Sequence, residues 1–397
     1  MLVIFSHLLL VVAALLAIPV AVLFFEIIAA ITLTREDRSV RSGHNYRPRV
    51  AVLVPAHNES AGLQPTIADI KPQLRGGDRL LVVADNCSDD TAAVAAAAGA
   101  EVIERKDLCK IGKGYALDWG FRHLSADVPE IVIIIDADCR VAVGTIDRLT
   151  TVCALTHRPV QALDLMTAPD QSPINYQVAE FAWRVKNWVR PLGLKALNLP
   201  CQLMGTGMAL PWEQICSINL ASGQIVEDLK LGLDLTVAGR APLFCPSAVV
   251  TSQFPSSNEG ASTQRQRWER GHVGMILKVA PRLICLALAR RNMDLFAIAL
   301  DMAVPPLSLL ALLTIGTGTI AAVASLFGFS SAALIISATS FTALLTSVFL
   351  CWLKYGRDIL PPRALVAVAP FILAKLHLYR RLLLRGVPQH WSRTDRN

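Results

Sequence analysis

The sequence predicts an α/β domain with a mainly parallel sheet, accompanied by apolar helices long enough to cross a membrane. Two observations predict this class. Short apolar runs alternate with helical stretches between residues 49 and 135, an order typical of a parallel α/β sheet. Hydrophobic residues make up 53% of the 397-residue chain, and they concentrate in residues 2–33 and after about residue 295. Residues 35–290 are therefore expected to contain the globular part, which is long enough for a full core.

The first apolar segment, residues 2–33, is predicted to be a retained membrane helix. It exceeds the roughly 20 apolar residues that a bilayer-spanning helix needs. A cleaved signal peptide is the alternative, but no basic residues precede the apolar run, and the run is too long. Glu26 lies near the end of this segment. Because a carboxylate is costly in lipid, we expect it to face other helices or the membrane interface.

Two more spans are predicted near the other end of the chain. Residues 304–325 and 332–353 have the required length, and the short link between them makes them a hairpin. Residues 364–376 form a shorter apolar stretch that either lies in the interface or spans, and residues 273–288 are expected to form an amphipathic interfacial helix. The predicted segments are a membrane helix (1–34), a globular domain (35–272), interfacial helices (273–303), a transmembrane hairpin (304–353) and an interfacial or transmembrane helix with a basic tail (354–397).

The distribution of basic residues predicts the orientation of these spans. Arginines follow the first predicted span directly, basic residues follow the third, and the link between the second and third spans has none. By the positive-inside rule, the globular domain and the C-terminal end face the cytoplasm. The net charge of +7 therefore indicates attraction to a membrane surface rather than to nucleic acid, since the basic residues flank the spans.

Polar residues follow three predicted strands at the point where each strand ends. The strands with their polar residues are 49–55 with Asn58 and Glu59, 78–85 with Asp85, and 130–135 with Asp136 and Asp138. Ligands of open α/β sheets bind beyond the carboxyl ends of the strands, so we expect these residues to converge. Asp136 and Asp138 are one residue apart, and a divalent cation held together with phosphate oxygens would relieve their repulsion. A capped turn is the alternative interpretation of this pair.

The region after the second predicted strand also has two interpretations. Asp85 can accept hydrogen bonds from a base or a ribose, or it can be an acid that the N-terminal dipole of the next helix favours. Ser88 is predicted to cap that alanine-rich helix, and Gly99 is predicted to end it.

Four further motifs remain open to more than one interpretation. Gly112-Lys113-Gly114 at a predicted helix start suits a phosphate but is weak alone. Residues 205–207 (Gly-Thr-Gly) allow either a close ligand approach or a tight turn. Glu227 and Asp228 begin a helical pattern, where a carboxylate is either a dipole-stabilised cap or a general base. The stretch Thr263–His272 combines arginines, glutamines and a tryptophan, which would suit either a solvated face or a basic anchor at a membrane surface.

Together these blocks resemble the membrane-embedded family 2 glycosyltransferases, the group that includes cellulose, chitin and hyaluronan synthases and their exopolysaccharide relatives. The resemblance covers roughly residues 50–272, and several blocks in the same order are far more specific than any one of them. It implies a GT-A fold, a nucleotide-diphosphate sugar donor, a divalent metal (Mg²⁺ or Mn²⁺) and inversion at the anomeric carbon. The matching blocks are VLVPAHNES (52–60), VVADNCSDDTA (82–92), GKGYAL (112–117), DADC (136–139), GTGMAL (205–210), VEDLKLGLDL (226–235) and QRQRW (264–268).

The resemblance assigns five residues to the donor. Pro55, Asn58 and Glu59 would lie near the uridine of a UDP-sugar. Asp85 would hold the uracil or ribose side, and Lys113 would lie near the nucleotide or the diphosphate.

The resemblance also implies which residues carry the chemistry. Asp136 and Asp138 would be the DxD pair that holds the metal, with Asp138 the more direct ligand. Asp228 would be the catalytic base, with Glu227 beside it in the catalytic pair. A QxxRW motif would hold the donor diphosphate and close the acceptor site. Its residues are Gln264, Arg267 and Trp268.

The predicted function is the transfer of a sugar to a lipid-linked or polysaccharide acceptor in the biosynthesis of cell-surface polysaccharide or glycolipid. The enzyme would act at the inner membrane with its catalytic domain in the cytoplasm. It would contact membrane lipid and other polysaccharide-assembly proteins, but no nucleic acid. Polymerising members of the group have more spans than the three or four predicted here. A processive polysaccharide synthase of the cellulose, chitin or hyaluronan type is the alternative.

Overall fold

The structure of the protein is a computed structural model that describes residues 2–34, 47–216, 218, 220–221, 227–376 and 379. These residues form two compact units. The sheet unit contains residues 47–167 and 199–255, and the helical unit contains residues 2–34, 168–198 and those from 256 onward. Residues 168–198 and 256–272, inside the predicted globular domain, thus belong to the helical unit. The segment boundaries given above stay a prediction.

The sheet unit is built on a mixed sheet, in which the described residues supply eight strands. The strands are β1 (Val50–Ala56), β2 (Arg79–Asp85), β3 (Glu101–Arg105), β4 (Ile131–Ile134), β5 (Arg140–Val141), β6 (Val160–Thr167), β7 (Met208–Pro211) and β8 (Leu243–Gln253). Their order across the sheet is β3-β2-β1-β4-β7-β6-β8-β5. Strands β3, β2, β1 and β4 are parallel to one another, whereas β7 is antiparallel to both β4 and β6. The predicted parallel arrangement is therefore confirmed for β1–β4.

The sheet unit has helices packed on its sheet, and the helical unit consists of helices. The helices of the helical unit are α1 (Leu2–Thr32), α6 (Ile174–Arg184), α7 (Arg190–Ala196), α10 (Asn258–Lys278), α11 (Ala280–Arg290), α12 (Met293–Met302), α13 (Leu307–Leu326), α14 (Ala332–Tyr355) and α15 (Val368–Ala374). Those of the sheet unit are α2 (Ser60–Ile70), α3 (Thr91–Ala97), α4 (Lys113–Leu124), α5 (Thr145–Thr156), α8 (Trp212–Ile215) and α9 (Glu227–Val237). Two 3₁₀ segments cover Lys71–Gln73 and Pro362–Ala367, and a π-helical segment, Val185–Val189, joins α6 to α7.

Both faces of the sheet are covered by helices, so the central strands carry apolar side chains on both faces. Val52 of β1 belongs to the core cluster that includes Ile67 of α2, whereas the next residue, Leu53, belongs to the cluster that includes Phe121 of α4. Successive side chains of a strand point to opposite faces. A strand buried on both faces therefore has a continuous apolar sequence, which is why β1 and β4 could be predicted as buried strands.

Among the described residues of the helical unit, three helices are long and apolar enough to cross a membrane. They are Ile4–Thr32 within α1, Leu307–Leu326 and Ala332–Tyr355. These helices coincide with the three predicted spans, and their membrane crossing stays a prediction. A helix pair bent by 45°, Gln264–Lys278 with Ala280–Arg290, has the composition of a broken span or a re-entrant loop. It occupies the region where the sequence predicted an interfacial helix.

A buried charge cluster ties α1 to two other helices of this unit. Glu26 on α1 is 2% exposed, and its Oε2 accepts a hydrogen bond from Arg190 Nε on α7 at 2.6 Å. Arg190 also forms an ion pair with the Asp301 carboxylate on α12 and donates to the Asp301 carbonyl at 2.7 Å. The expectation that Glu26 faces other helices is confirmed. Because loss of one partner would leave a buried charge uncompensated, the cluster fixes how α1, α7 and α12 pack.

Gly193→Ala tests the close packing of α7 against α1. A Cβ on Gly193 would lie 1.9 Å from the Glu26 carbonyl oxygen, so the two helices must separate to admit a methyl group. We expect the melting temperature of the detergent-solubilised protein to fall by several degrees, because overpacking an interior costs about 1–3 kcal/mol. Gly316→Ala on α13 is the control, since nothing lies within 4 Å of its Cβ position. An equal effect of both substitutions would contradict the close contact.

Candidate active site

The polar residues that the sequence placed at strand ends lie at one edge of the sheet unit. Asp85 is the last residue of β2, and Asp136 and Asp138 follow β4. Because β2, β1 and β4 are adjacent and parallel, their carboxyl ends meet at the same edge. Lys113 is the first residue of α4, as predicted, and Glu227 lies in the first described turn of α9. This edge and these two helix turns form the candidate site.

Lys113 connects three parts of the site. Its ammonium group forms an ion pair with the Asp136 carboxylate and donates a hydrogen bond to the Gly205 carbonyl oxygen at 2.9 Å. Gly205 has a φ of +94°, a conformation that favours glycine. A Cβ on Gly205 would lie 3.3 Å from Asp228 Oδ2 and 3.7 Å from Lys113 Nζ. The structure thus brings Lys113, Asp136 and Asp228 together around Gly205.

The charges at this edge depend on one another. Burial, together with the charge of the adjacent Asp228, raises the pKa of Glu227 to about 7. Burial alone would lower the pKa of Lys113, but the carboxylates of Asp136, Glu227 and Asp228 outweigh it and hold that pKa above its usual value. Lys113 therefore stays cationic at neutral pH, where Glu227 is protonated in part of the molecules.

A pocket opens between α4, β7 and α9. Its empty volume is about 390 Å³, including the part open to solvent. Leu117 and Leu231 line its apolar side, and its charged lining consists of Lys113, Glu227, Asp228, Lys230 and Asp234. Carboxylates and ammonium groups in one pocket can bind a hydroxyl-bearing ligand and accept its proton.

Asn58 and Glu59 connect the end of β1 to the loop after β2. Asn58 has a φ of +54°, and its Oδ1 accepts a hydrogen bond from the Ser88 backbone N–H at 2.8 Å. The prediction of Ser88 as the helix cap is wrong, because α3 begins only at Thr91 and Ser88 is engaged by Asn58. The Glu59 N–H donates to Thr91 Oγ1 at 2.9 Å. A nucleotide contact of Asn58 and Glu59 stays a prediction.

Pro55 and Asp85 lie on neighbouring strands of the same edge. Pro55 is opposite Val83 in the ladder of β1 and β2. Asp85 is opposite Arg105 in the ladder of β2 and β3, and their side chains form a buried ion pair at 2.6 Å. Sequence reasoning missed Arg105, although an arginine at the end of the strand after Asp85 was a usable signal.

Gln161 on β6 is a second residue that sequence reasoning missed. It is fully buried, its Nε2 donates to the Thr206 carbonyl at 2.8 Å, and its Oε1 accepts from the Met204 N–H at 2.8 Å. Thr206 Oγ1 in turn accepts a hydrogen bond from the Asp136 N–H at 3.1 Å. Gln161 therefore holds the loop that contains Gly205. Its signal in the sequence is a single amide within an otherwise apolar run, VQAL.

Asp136 and Asp138 are the residues that could hold a divalent metal. A Cβ on Gly62 would lie 3.6 Å from Asp138 Cβ and 3.4 Å from Glu59 Oε2, so Asp138 and Glu59 flank the same glycine. Within the described part of the chain, no group of three or more His, Cys, Asp or Glu side chains forms a metal site. Metals of the Mg²⁺ type are commonly held by one or two carboxylates together with substrate phosphates. The Asp136 and Asp138 pair fits a site of that kind.

The residues of the QxxRW motif lie on α10, in the helical unit. Gln264 is 2% exposed, and the Trp268 ring packs at 5.1 Å from the Trp183 ring of α6. Arg267 precedes Trp268 on the same helix. The structure gathers the lysine and the carboxylates in the sheet unit, whereas these motif residues belong to the helical unit. Their role at the donor and the acceptor stays a prediction.

A family model agrees with this arrangement. Residues 48–271 match the model described as glycosyltransferase like family 2. The chain belongs to this family. The predicted glycosyltransferase is thereby confirmed at the level of the family, while the narrower likeness to cellulose, chitin and hyaluronan synthases stays a prediction.

Individual relatives of this family 2 chain are distant. It is 27% identical over 296 residues to the probable glycosyltransferase YdaM of Bacillus subtilis. That alignment covers 67% of this chain and 65% of YdaM. It is 37% identical over 95 residues to glucosyl-3-phosphoglycerate synthase of Mycobacterium tuberculosis. This shorter alignment covers 22% of this chain and 28% of the synthase. The chain thus matches less than two thirds of the length of either relative.

A solved structure shares the fold of this family 2 chain. It is the mannosyltransferase PcManGT from Pyrobaculum calidifontis, solved in complex with GDP-Man and Mn²⁺. The TM-score is 0.54 at 17% identity, and the alignment covers 95% of this chain and 99% of that one. This likeness supports the predicted GT-A-like α/β fold.

Glu227→Gln tests the raised pKa of Glu227. The carboxyl has a pKa of 4.5 without the fold and about 7 within it, so ionisation lowers the stability of the folded protein as the pH rises between these values. Glutamine does not ionise. We therefore expect the melting temperature of the variant, relative to wild type, to increase between about pH 5 and about pH 8. Glu213→Gln, which removes an exposed carboxyl of the same unit, is the control. A difference that does not change with pH would contradict the raised pKa.

Proposed function

We propose that this protein is an inverting, metal-dependent glycosyltransferase. It would move a sugar from a nucleotide-diphosphate sugar, preferably a UDP-sugar, to a lipid-linked or polysaccharide acceptor in the biosynthesis of cell-surface polysaccharide or glycolipid. The observation that carries the proposal is the contact of Lys113 with Asp136 next to Asp228, at the edge where parallel strands end. Membership of family 2 supports glycosyl transfer as the reaction.

The donor would bind across the ends of β1, β2 and β4, with its diphosphate near Lys113. Asp136 and Gly205 already orient the Lys113 ammonium group, so it can meet an anion with little reorganisation. Asp136 and Asp138 would hold a divalent cation, which would neutralise charge on the departing diphosphate. The residues proposed to contact the nucleotide are Pro55, Asn58, Glu59 and Asp85.

Asp228 is the proposed base that takes the proton from the acceptor hydroxyl. Two adjacent carboxylates repel each other, and the proton that Glu227 holds near neutral pH reduces that repulsion beside Asp228. A carboxylate that lines an open pocket is the arrangement that a general base needs. The activated hydroxyl would attack the anomeric carbon opposite the departing diphosphate. This single displacement inverts that carbon without a covalent enzyme intermediate.

The acceptor is proposed to be presented at a membrane. Helices α1, α13 and α14 have the length and composition of membrane spans, and basic residues after the first and third of them favour a cytoplasmic catalytic domain at the inner membrane. A lipid-linked acceptor would share the bilayer with these helices. Gln264, Arg267 and Trp268 are proposed to contact the diphosphate and the acceptor, and the paired rings of Trp183 and Trp268 offer an aromatic surface to a sugar ring.

Transfer by the full chain in liposomes tests the proposed function. The protein would be supplied with a panel of UDP-sugars, with Mn²⁺ or Mg²⁺, and with a polyprenyl-linked sugar acceptor. GDP-mannose is added to the panel because the mannosyltransferase PcManGT was solved with it. We expect one donor to give a product whose mass has increased by a single sugar. A ladder of products would support the processive alternative, and no product with any donor would contradict the proposal.

The same assay with Asp228→Asn tests the base. Because general base catalysis contributes about 10²–10⁴-fold to a rate, kcat should fall at least a hundredfold, while UDP binds as in wild type. Asp118→Asn is the control, since it removes a carboxylate of α4 that pairs with Arg122 on the surface of the same unit. Wild-type turnover in Asp228→Asn would refute the assignment of the base.

Asp138→Ala tests the metal site through binding rather than turnover. A carboxylate that binds a cation together with the diphosphate makes UDP affinity depend on that cation. We expect Mn²⁺ to strengthen UDP binding to wild-type protein and to have little effect on the variant, as measured by isothermal titration. If Mn²⁺ strengthens binding equally in both proteins, Asp138 is not a ligand.

A further inference from the structure

Arg105 holds the carboxylate of Asp85. The two residues are partners at the carboxyl ends of β2 and β3, so their side chains leave the sheet on the same face. Arg105 Nη1 donates to Asp85 Oδ1 at 2.6 Å, and both side chains are only 8% exposed. The Asn86 amide donates to the same oxygen at 3.2 Å. Among the described residues, both side-chain hydrogen bonds to this carboxylate end on Oδ1, which leaves Oδ2 as an acceptor.

The other arm of the same guanidinium group holds the loop that leads to Lys113. Arg105 Nη2 donates to the Lys110 carbonyl at 2.8 Å and lies 3.3 Å from Asp107 Oδ2. The guanidinium carbon lies 5.5 Å from the centre of the Tyr115 ring, in the first turn of α4. A guanidinium group is planar and presents its N–H donors at fixed angles, whereas a lysine ammonium group is a compact charge on a flexible chain.

We propose that Arg105 is a positioning residue that sets the distance between Asp85 and Lys113, and thereby fits the site to a nucleoside diphosphate. This inference rests on the proposed function, because it requires such a donor at this edge of the sheet. Asp85 Oδ2 would accept a nucleobase N–H while the Lys113 ammonium group meets the diphosphate. Arg105 acts through Asp85 and through the loop before Lys113, and a single side chain thereby couples the two ends of the nucleotide site.

Arg105 also favours the ionised form of Asp85. Burial raises the pKa of the Asp85 carboxyl, and Arg105 opposes that rise. The other charged or titratable groups that face this carboxyl among the described residues are His57 after β1, Cys87 after β2 and Asp107 in the loop after β3. Loss of Arg105 would raise the pKa of Asp85 further, and a protonated carboxyl is a poorer acceptor. Donor binding would then weaken, as the pH falls, at a higher pH than in the wild-type protein.

Arg105→Met and Arg105→Lys in the full chain test this inference. UDP binding in the presence of Mn²⁺ would be measured by isothermal titration, and the donor KM and kcat by the transfer assay, each at several pH values. We expect Arg105→Met to raise the Kd and KM roughly ten- to a hundredfold, the range of a hydrogen bond to a charged group, with a smaller effect on kcat. Arg105→Lys keeps the positive charge but lacks the two separate N–H groups of the guanidinium. We therefore expect it to retain the wild-type pH profile of donor binding but only part of the affinity for UDP.

Arg79→Met is the matched control. Arg79 pairs with Glu101 across the same two strands at their opposite ends, so the variant loses an arginine–carboxylate pair away from the site. Wild-type UDP affinity and an unchanged pH profile in both Arg105 variants would overturn the inference. If Arg105→Met fails to fold, the test rests on Arg105→Lys. Weaker UDP binding by a variant with the wild-type melting temperature supports the inference, and UDP binding equal to wild type overturns it. If the wild-type protein binds neither UDP nor GDP, the proposed function fails, and this inference fails with it.

Discussion

Three carboxylates gathered around one ammonium group are the constraint on which the site depends. Asp136, Glu227 and Asp228 come from distant parts of the chain, and they would repel one another without a cation. Lys113 reduces that repulsion, and its pKa is raised as a result. Its ammonium group also donates to the Gly205 carbonyl at 2.9 Å. The end of β4, the start of α4 and the loop before β7 are therefore held in place by the same group.

Much of this edge could be predicted because parallel strands bring their carboxyl ends together. The apolar runs of β1, β2 and β4 predicted parallel strands, and Asn58, Asp85 and Asp136 stand at or just after the ends of those runs. Their common edge could therefore be predicted without knowledge of their contacts. The start of α4 at Lys113 was also predicted. In the helical unit, the cost of a carboxylate in lipid predicted that Glu26 faces either other helices or the membrane interface, and the structure shows the first of these.

The contacts between distant segments could not be predicted, because they depend on register. Arg105 is opposite Asp85 only in the observed pairing of β2 and β3, and a slip of one residue would move its side chain to the other face. Gln161 forms hydrogen bonds with Thr206 and Met204, which lie 45 and 43 residues further along the chain. Glu26 and its partner Arg190 are 164 residues apart. Ser88 shows a different limit. The local capping rule favoured it, but Asn58, in a left-handed conformation, accepts its N–H instead.

The charge balance of the edge argues that the donor binds together with a cation. Lys113 already forms an ion pair with Asp136, and Glu227 and Asp228 line the same pocket as Lys113. A nucleoside diphosphate would add further negative charge to this edge, and close like charges repel strongly where water is partly excluded. Lys113 cannot be the sole counter-ion of that diphosphate, because it already compensates Asp136. This need for a further cation is consistent with the metal-dependent donor site proposed above.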